Sequence, residues 1–477
     1  MLFAISNIAF AILAVILFQQ SPGAYDLAYC RMLAAVYLVH NVCFFTLQKK
    51  KHWLGFELFF AISFFFVNFV YPITYATSPD VHVRYQSLFI YMLQIPHDLT
   101  TRATAIAYLG YAFYALGMTN FLNVNREEPD HPTFKLTQEH YLWFFGITMV
   151  SFLLFYITGG LTALRSVYHG GGNLKTVGIY SYFNNIFTLA CYLMAIFLFR
   201  LDKQKWWFYA LVVAACMLIT ISTGSRQMAL GLMLVLICSF SMYVYKFKWW
   251  QVVLIIGVGA VALFVVVTIR KLGWNPEGWK AKLSGLTLNS YVEIFNDLII
   301  NNLNLYILVD YAYYHPKTWF HGMLIDLASP IPGLGTSIVN YYGEPSELMH
   351  GGDLPSFLIL GANQNWGLGT NMIGEAFRSF GIWGVGISMY LIGFTVKELY
   401  YHANQNIYCY LLYFLFVSHA VIYPRAPLIF DPRTLVWSVL ILWLVLQITK
   451  DSGKIRMALD GLWNNEKSET SRKEDKA

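Results

Sequence analysis

Glu375 and Arg378, in the run GEAFRSFG, stand three residues apart, a spacing that puts both side chains on one face of a helix. A carboxylate there can take a proton and a guanidinium can meet an anion. A local ion pair that only solvates a helix end reads the same residues. Upstream, MHGGD sets His350 close to Asp353, an imidazole and a carboxylate suited to general-base work. Arg226 lies in TGSRQ between two apolar runs, where Gly224 permits a tight turn and Ser225 can cap the next helix. A guanidinium beside free helix N–H groups makes a phosphate site, and a snorkelling interfacial arginine is the other reading. Arg165 and Lys175 flank three glycines in LTALRSVYHGGGNLK, Arg270 and Lys271 follow another apolar run, and Arg425 and Arg433 bracket YPRAPLIFDPR. Each of these cations also reads as an interfacial anchor. His315 and His321 flank HPKTWFH without a metal-like set around them. No HExxH, P-loop or GxSxG pattern occurs, so no metal and no cofactor is expected.

The elements that must hold these residues are set by composition. Of 477 residues, 57% are apolar and 12% charged, against about 45–50% and about 25% in soluble domains. With a mean hydropathy of +0.51, the excess apolar surface must face lipid, and the fold class is an all-α polytopic membrane protein. The six cysteines sit in apolar runs without CxxC spacing, so no disulfide framework is read. The net charge of +6 is spread along the chain, and nucleic-acid binding is not indicated.

A span needs about 20 mostly apolar residues, and about twelve segments qualify: 1–19, 26–47, 53–75, 103–121, 139–159, 181–199, 206–222, 228–245, 249–269, 372–395, 405–423 and 434–449. Connections on the side of Lys49–Lys51 hold 18 Lys and Arg, and the short connections opposite hold 7. The positive-inside rule then puts both termini in the cytoplasm. Nine spans (1–269) precede one large outer loop (270–371), read as a partly helical cap. Three spans (372–449) and a charged, disordered cytoplasmic tail (450–477) follow. The loop carries a net charge of −3. Its aromatics Trp319, Tyr341, Tyr342 and Trp366 could stack on sugar faces or pack the loop onto the membrane. Residues 85–101 are read as an outer re-entrant or surface helix. No internal repeat is seen, which speaks against common transporter architectures.

This pattern resembles the Wzy-type oligosaccharide repeat-unit polymerases and, more distantly, the O-antigen ligases. The resemblance rests on the twelve-span layout, the STGSRQ turn, the late outer loop with its SPIPG turn, and GEAFRSFGIWGVG. It implies a GT-C-like, metal-independent glycosyltransferase of the bacterial inner (plasma) membrane, working at its outer face. Donor and acceptor would be undecaprenyl-pyrophosphate-linked oligosaccharides, for O-antigen within lipopolysaccharide biosynthesis, with a chain-length regulator as a further partner. The family's turn arginine maps onto Arg226, and a second basic residue onto Arg165 or Arg270, with Arg378 and Arg425 as further pyrophosphate contacts. His350, with Asp353, matches the ligase branch's loop histidine, and Glu375 competes as the base. An O-antigen ligase shares nearly all these features. A flippase or transporter for lipid-linked sugars, which would show paired halves and mid-span polar residues, and a non-catalytic assembly subunit are the other readings.

Overall fold

The computed structural model describes residues 2–48, 52–75, 99–119, 134, 136–163, 178–200, 206–222, 226–272, 295–319, 321–361, 367–429 and 431–450. These residues are mostly helical, and no strand occurs among them. Nine helices come first: α1 (Leu2–Gln19), α2 (Leu27–Leu47), α3 (Phe56–Asn68), α4 (Leu99–Gly117), α5 (Gln138–Ile157), α6 (Tyr180–Phe197), α7 (Trp206–Ser222), α8 (Arg226–Tyr243) and α9 (Trp249–Leu272). Among the described residues, a single helical turn (Asn296–Ile299) and four shorter helices follow: α10 (Asn302–Tyr314), α11 (Leu324–Ala328), α12 (Leu334–Tyr342) and α13 (Leu354–Leu360). The chain then forms α14 (Met372–His402), α15 (Ile407–His419) and α16 (Pro432–Lys450).

Every segment expected to span carries one of these helices. Six helical stretches, α1, α2, α5, Tyr180–Arg200 (α6 and its terminal turn), α14 and α16, are long and apolar enough to cross a membrane, and five shorter apolar helices accompany them. The protein is a multi-pass membrane protein. Most of the stretch expected as a surface helix, 85–98, lies outside the described residues, as do 273–294 and the tail.

The helix ends follow the sequence. Asp26 caps α2 by accepting from the Tyr29 N–H at 3.0 Å, Asn371 caps α14 through the Ile373 N–H at 3.0 Å, and Asn406 caps α15 through the Tyr408 N–H at 2.8 Å. Each carboxamide or carboxylate satisfies a donor that the first helical turn leaves free.

The core is built around α4, which packs most extensively on α14 and also touches α1, α2 and α10. Its Thr100, Thr101 and Thr104 are buried, and the Thr104 hydroxyl donates to the Thr100 carbonyl at 2.8 Å, so that polar atom needs no water. Tyr111 stacks near Tyr37 (4.4 Å between ring centres) and Tyr114 near Phe60 (4.7 Å). The α4–α14 crossing is held close by two glycines. A Cβ on Gly117 would lie 2.1 Å from the Tyr390 carbonyl oxygen, and one on Gly393 would lie 2.2 Å from that of Tyr114. Backbone cannot yield there as a side-chain tip can. Gly393→Ala is therefore expected to destabilise the protein by about 1–3 kcal/mol, the range for overpacking a fitted core. Thermal unfolding in detergent reads this, and an unchanged midpoint would refute the close crossing.

The helix α10, expected within an outer cap, packs on α14, α4 and α3. Its residues Asn302 to Val309 are buried. They are apolar except Asn302 and Asn304, and each of these donates to a backbone carbonyl, Asn302 to Asn68 at 3.1 Å and Asn304 to Leu368 at 3.0 Å. Both amide NH2 groups thus have a carbonyl acceptor, while Asn302 Oδ1 and the Tyr306 hydroxyl are buried without a partner.

Candidate active site

The site begins with a break in α14. Gly381 is non-helical (φ 69°, ψ −154°), a conformation glycine adopts without strain. The kink releases the carbonyls of Arg378 and Ser379 from the helical ladder, and the loop takes them up: Thr318 N–H donates to the first at 3.4 Å and Trp319 N–H to the second at 3.0 Å. The stub Met372–Phe380 is thereby tied to the 318–353 region.

Two histidine–glycine pairs in that region seat the two charges of the stub. Gly351 lies against Glu375, so closely that a Cβ would fall 1.5 Å from Glu375 Oε1. Gly322 lies against Arg378, where a Cβ would fall 1.6 Å from Nη2. Arg378 Nη2 donates to the Gly322 carbonyl at 3.1 Å, and Glu375 Oε2 accepts from the Leu428 N–H. Both side chains are fully enclosed, at 0% and 1% exposure. They form no ion pair with each other within 4 Å. The reading of a solvated Glu–Arg pair at a helix end is therefore corrected: their shared face packs into protein, and each binds a backbone group of a different loop. Glu375 Oε1 and Arg378 Nε have no hydrogen-bond partner.

Above Gly351 the chain assembles a second carboxylate–imidazole pair. Asp326 on α11 accepts from the Gly351 N–H through Oδ2 at 3.0 Å, and its Oδ1 lies 3.3 Å from His350 Nε2. The Gly352 N–H donates to His350 Nδ1 at 3.0 Å, so a neutral ring with both contacts satisfied carries its proton on Nε2, directed at Asp326. Asp353, exposed, approaches Nδ1 at 3.7 Å. Burial pushes the Asp326 carboxyl above the usual carboxylate range. His350 and the Gly351 N–H oppose that shift, and Asp353 and Asp431 add to it.

Asp326 and His350 line a cavity of 330 Å³, together with Gln227, His419, Tyr423, Asp431 and Arg433. Arg433 Nε donates to the Ser329 carbonyl at 2.9 Å, and Trp437 Nε1 to that of Pro330 at 2.8 Å. These bonds lock the first turn of α16 onto the Pro330 turn. Gln227 brings the N-terminus of α8 to the cavity, so Arg226, the first residue of that helix, stands next to a lining residue. The side chain of Arg226 is outside the described set. A helix start, an arginine and an acid–imidazole pair around a space of this size can bind an anionic head group and move a proton beside it.

Residues 1–453 match the family of the O-antigen polysaccharide polymerase Wzy. The chain belongs to that family. No curated protein and no solved structure matches it significantly. Membership in this family supports an enzymatic, O-antigen-polymerising role for the chain.

Of the residues singled out in the sequence, His350, Asp353, Glu375 and Arg378 come together, the last two beneath the cavity and not in its lining. Trp319 is 68% exposed and Tyr341 85%, with Tyr342 half exposed and edge-on to His321 at 5.1 Å. Arg425 sits in the turn Tyr423–Arg425; it is not itself a lining residue, but its neighbour Ala426 is. Arg165 and Trp366 lie outside the described residues, and Arg270 is placed in α9 with its side chain undescribed. Among the described residues no group of three or more His, Cys, Asp or Glu is arranged to hold a metal.

Asp326 is the functional candidate that sequence reasoning missed. It lies 24 positions from His350 in an ordinary LIDLAS stretch, and no local spacing connects them. The usable signal was the glycine after each histidine, His321–Gly322 and His350–Gly351, which marks where another chain segment comes too close for a side chain.

Proposed function

We propose that this Wzy-family protein joins undecaprenyl-pyrophosphate-linked repeat units of O-antigen or a related surface glycan at the outer face of the plasma membrane. It would do so with a twelve-span, GT-C-like architecture and both termini in the cytoplasm. The observation that carries this reading is the cavity where the Asp326–His350 pair faces Arg433 and the N-terminus of α8.

In this reading the donor's pyrophosphate lies at the start of α8, against Arg226 and Arg433. An acceptor sugar hydroxyl lies beside Asp326. The hydroxyl oxygen bonds to the donor's anomeric carbon, the bond from that carbon to the pyrophosphate oxygen breaks, and the electron pair leaves with undecaprenyl pyrophosphate. The hydroxyl proton passes to Asp326, whose raised affinity for protons suits a base, while His350 holds the carboxylate in place. Charge growing on the leaving pyrophosphate meets preorganised guanidinium and helix N–H donors. Arg165 or Arg270, with Arg425, would complete the cationic rim. Glu375 and Arg378 act as positioning residues, one holding the 428 turn and the other the 322 turn. Trp319, Tyr341, Tyr342 and Trp366 offer stacking faces to the glycan chains, and a chain-length regulator would dock on the same side.

The test is the surface polysaccharide ladder of a host lacking the gene. Loss of the ladder to a single capped repeat, restored by the wild-type chain, is the expected result. Long polymer held on the lipid carrier would mean a ligase instead, and unflipped single units a transporter.

A further inference from the structure

A second cavity has the opposite character to the first. It measures 450 Å³ and runs between α3, α8 and α9, with Ser63 as its polar lining side chain. The Ser63 hydroxyl is already committed to the Val421 carbonyl. On α8 the lining residues Leu230, Leu234 and Ile237 form one stripe, and Phe59 and Phe66 form another on α3. The two cavities are continuous along the chain. Gln227 lines the polar one and Leu230, one helical turn on, lines the apolar one; Ile422 lines the first and its neighbour Val421 the second. At about 1.5 Å per residue, the apolar stripe starts about 4–5 Å along α8 from Gln227 and extends about 10 Å further. The outer wall is α9, which among the described residues approaches no helix as closely as the packed pairs of the bundle do. Its Leu254 and Val258 are more than half exposed.

A polar space bearing a cation and an apolar groove, whose linings adjoin within one turn of α8, together fit an amphiphile with an anionic head and a hydrocarbon tail. We propose that this groove holds the head-proximal isoprene units of the polyprenyl carrier whose pyrophosphate occupies the polar cavity. The proposal rests on the polymerase reading above and adds the place and residues of tail recognition. Burying each methylene there contributes in the same way as any apolar burial. The groove thus positions the anomeric carbon by holding the lipid, leaving the sugar itself free to vary.

Gly259 supplies the test. It lines the groove, and a Cβ built there meets no atom within 4 Å, so the backbone leaves room for Gly259→Phe to place a bulky ring at the groove wall. Gly257, on the same helix, is equally open and lines neither cavity, so Gly257→Phe is the control. Full-length protein in detergent is titrated with undecaprenyl pyrophosphate, inorganic pyrophosphate and phosphatidylglycerol. The expected result is that Gly259→Phe weakens undecaprenyl pyrophosphate about tenfold or more, leaves inorganic pyrophosphate unchanged, and that Gly257→Phe matches the wild type. Unchanged lipid binding by Gly259→Phe would overturn the groove assignment while a restored ladder left the polymerase reading intact. An equal loss in Gly257→Phe would show a distorted α9 and overturn it too. Displacement by equimolar phosphatidylglycerol would make the groove a general lipid cleft and not a carrier site. Failure of the wild type both to bind undecaprenyl pyrophosphate and to restore the ladder would remove the polymerase reading and this inference together.

Discussion

Asp326→Asn should reduce the surface polysaccharide to a single capped repeat unit while the protein stays folded in the membrane. Removal of a general base lowers a rate by about 10²–10⁴-fold, enough to erase a ladder. Asparagine keeps the shape and one acceptor for the Gly351 N–H, so the 350–353 turn is held. It also removes a buried charge, and here the sign matters. Burial raises the Asp326 carboxyl above its ordinary range, so the folded state holds that proton more tightly than the unfolded chain does. Ionisation of Asp326 therefore weakens the fold as pH rises through its folded pKa, and the neutral variant escapes this loss. The melting temperature of Asp326→Asn at neutral pH is expected to equal or exceed that of the wild type. For the wild type, polymerisation needs the ionised carboxylate, so the rate rises with pH through a pKa above the usual carboxylate range. Initial rates across the acidic range, measured with lipid-linked repeat units, report that limb. A normal ladder from Asp326→Asn would dismiss this base.

Arg226→Ala is the second large effect. If pyrophosphate leaves at the start of α8, this side chain and the free N–H groups of the helix meet the charge that develops, and losing such a donor costs about 10²–10³ in rate. Arg226→Lys recovers only part, because an ammonium cannot fork onto two phosphate oxygens. The variant is read by the same ladder, with expression checked and with turnover of purified protein measured at saturating substrate. Arg226 as a mere interfacial anchor would leave both readouts at wild-type level. The comparison with Arg270→Ala shows which second cation matters, since both residues lie at helix ends but only Arg226 adjoins a residue lining the polar cavity.

The sequence by itself determined the membrane class, the positions of the helices and the cluster around MHGGD and GEAFRSFG. Hydropathy and helix caps act over one or two turns, so a run such as 2–19 or an asparagine at 371 states its role locally. It also named His350, Glu375 and Arg378 as candidates, though not what each of them touches. Tertiary structure alone decided that Asp326, not Asp353, faces His350 Nε2, that Glu375 and Arg378 bind the 428 and 322 turns and not each other, and that α10 enters the bundle. The physical reason is the same in each case. A partner 24, 53 or 56 residues away is selected by how loops close over a kinked helix and by where a glycine leaves room. No residue period encodes that choice, because its energy lies in desolvating the groups brought together.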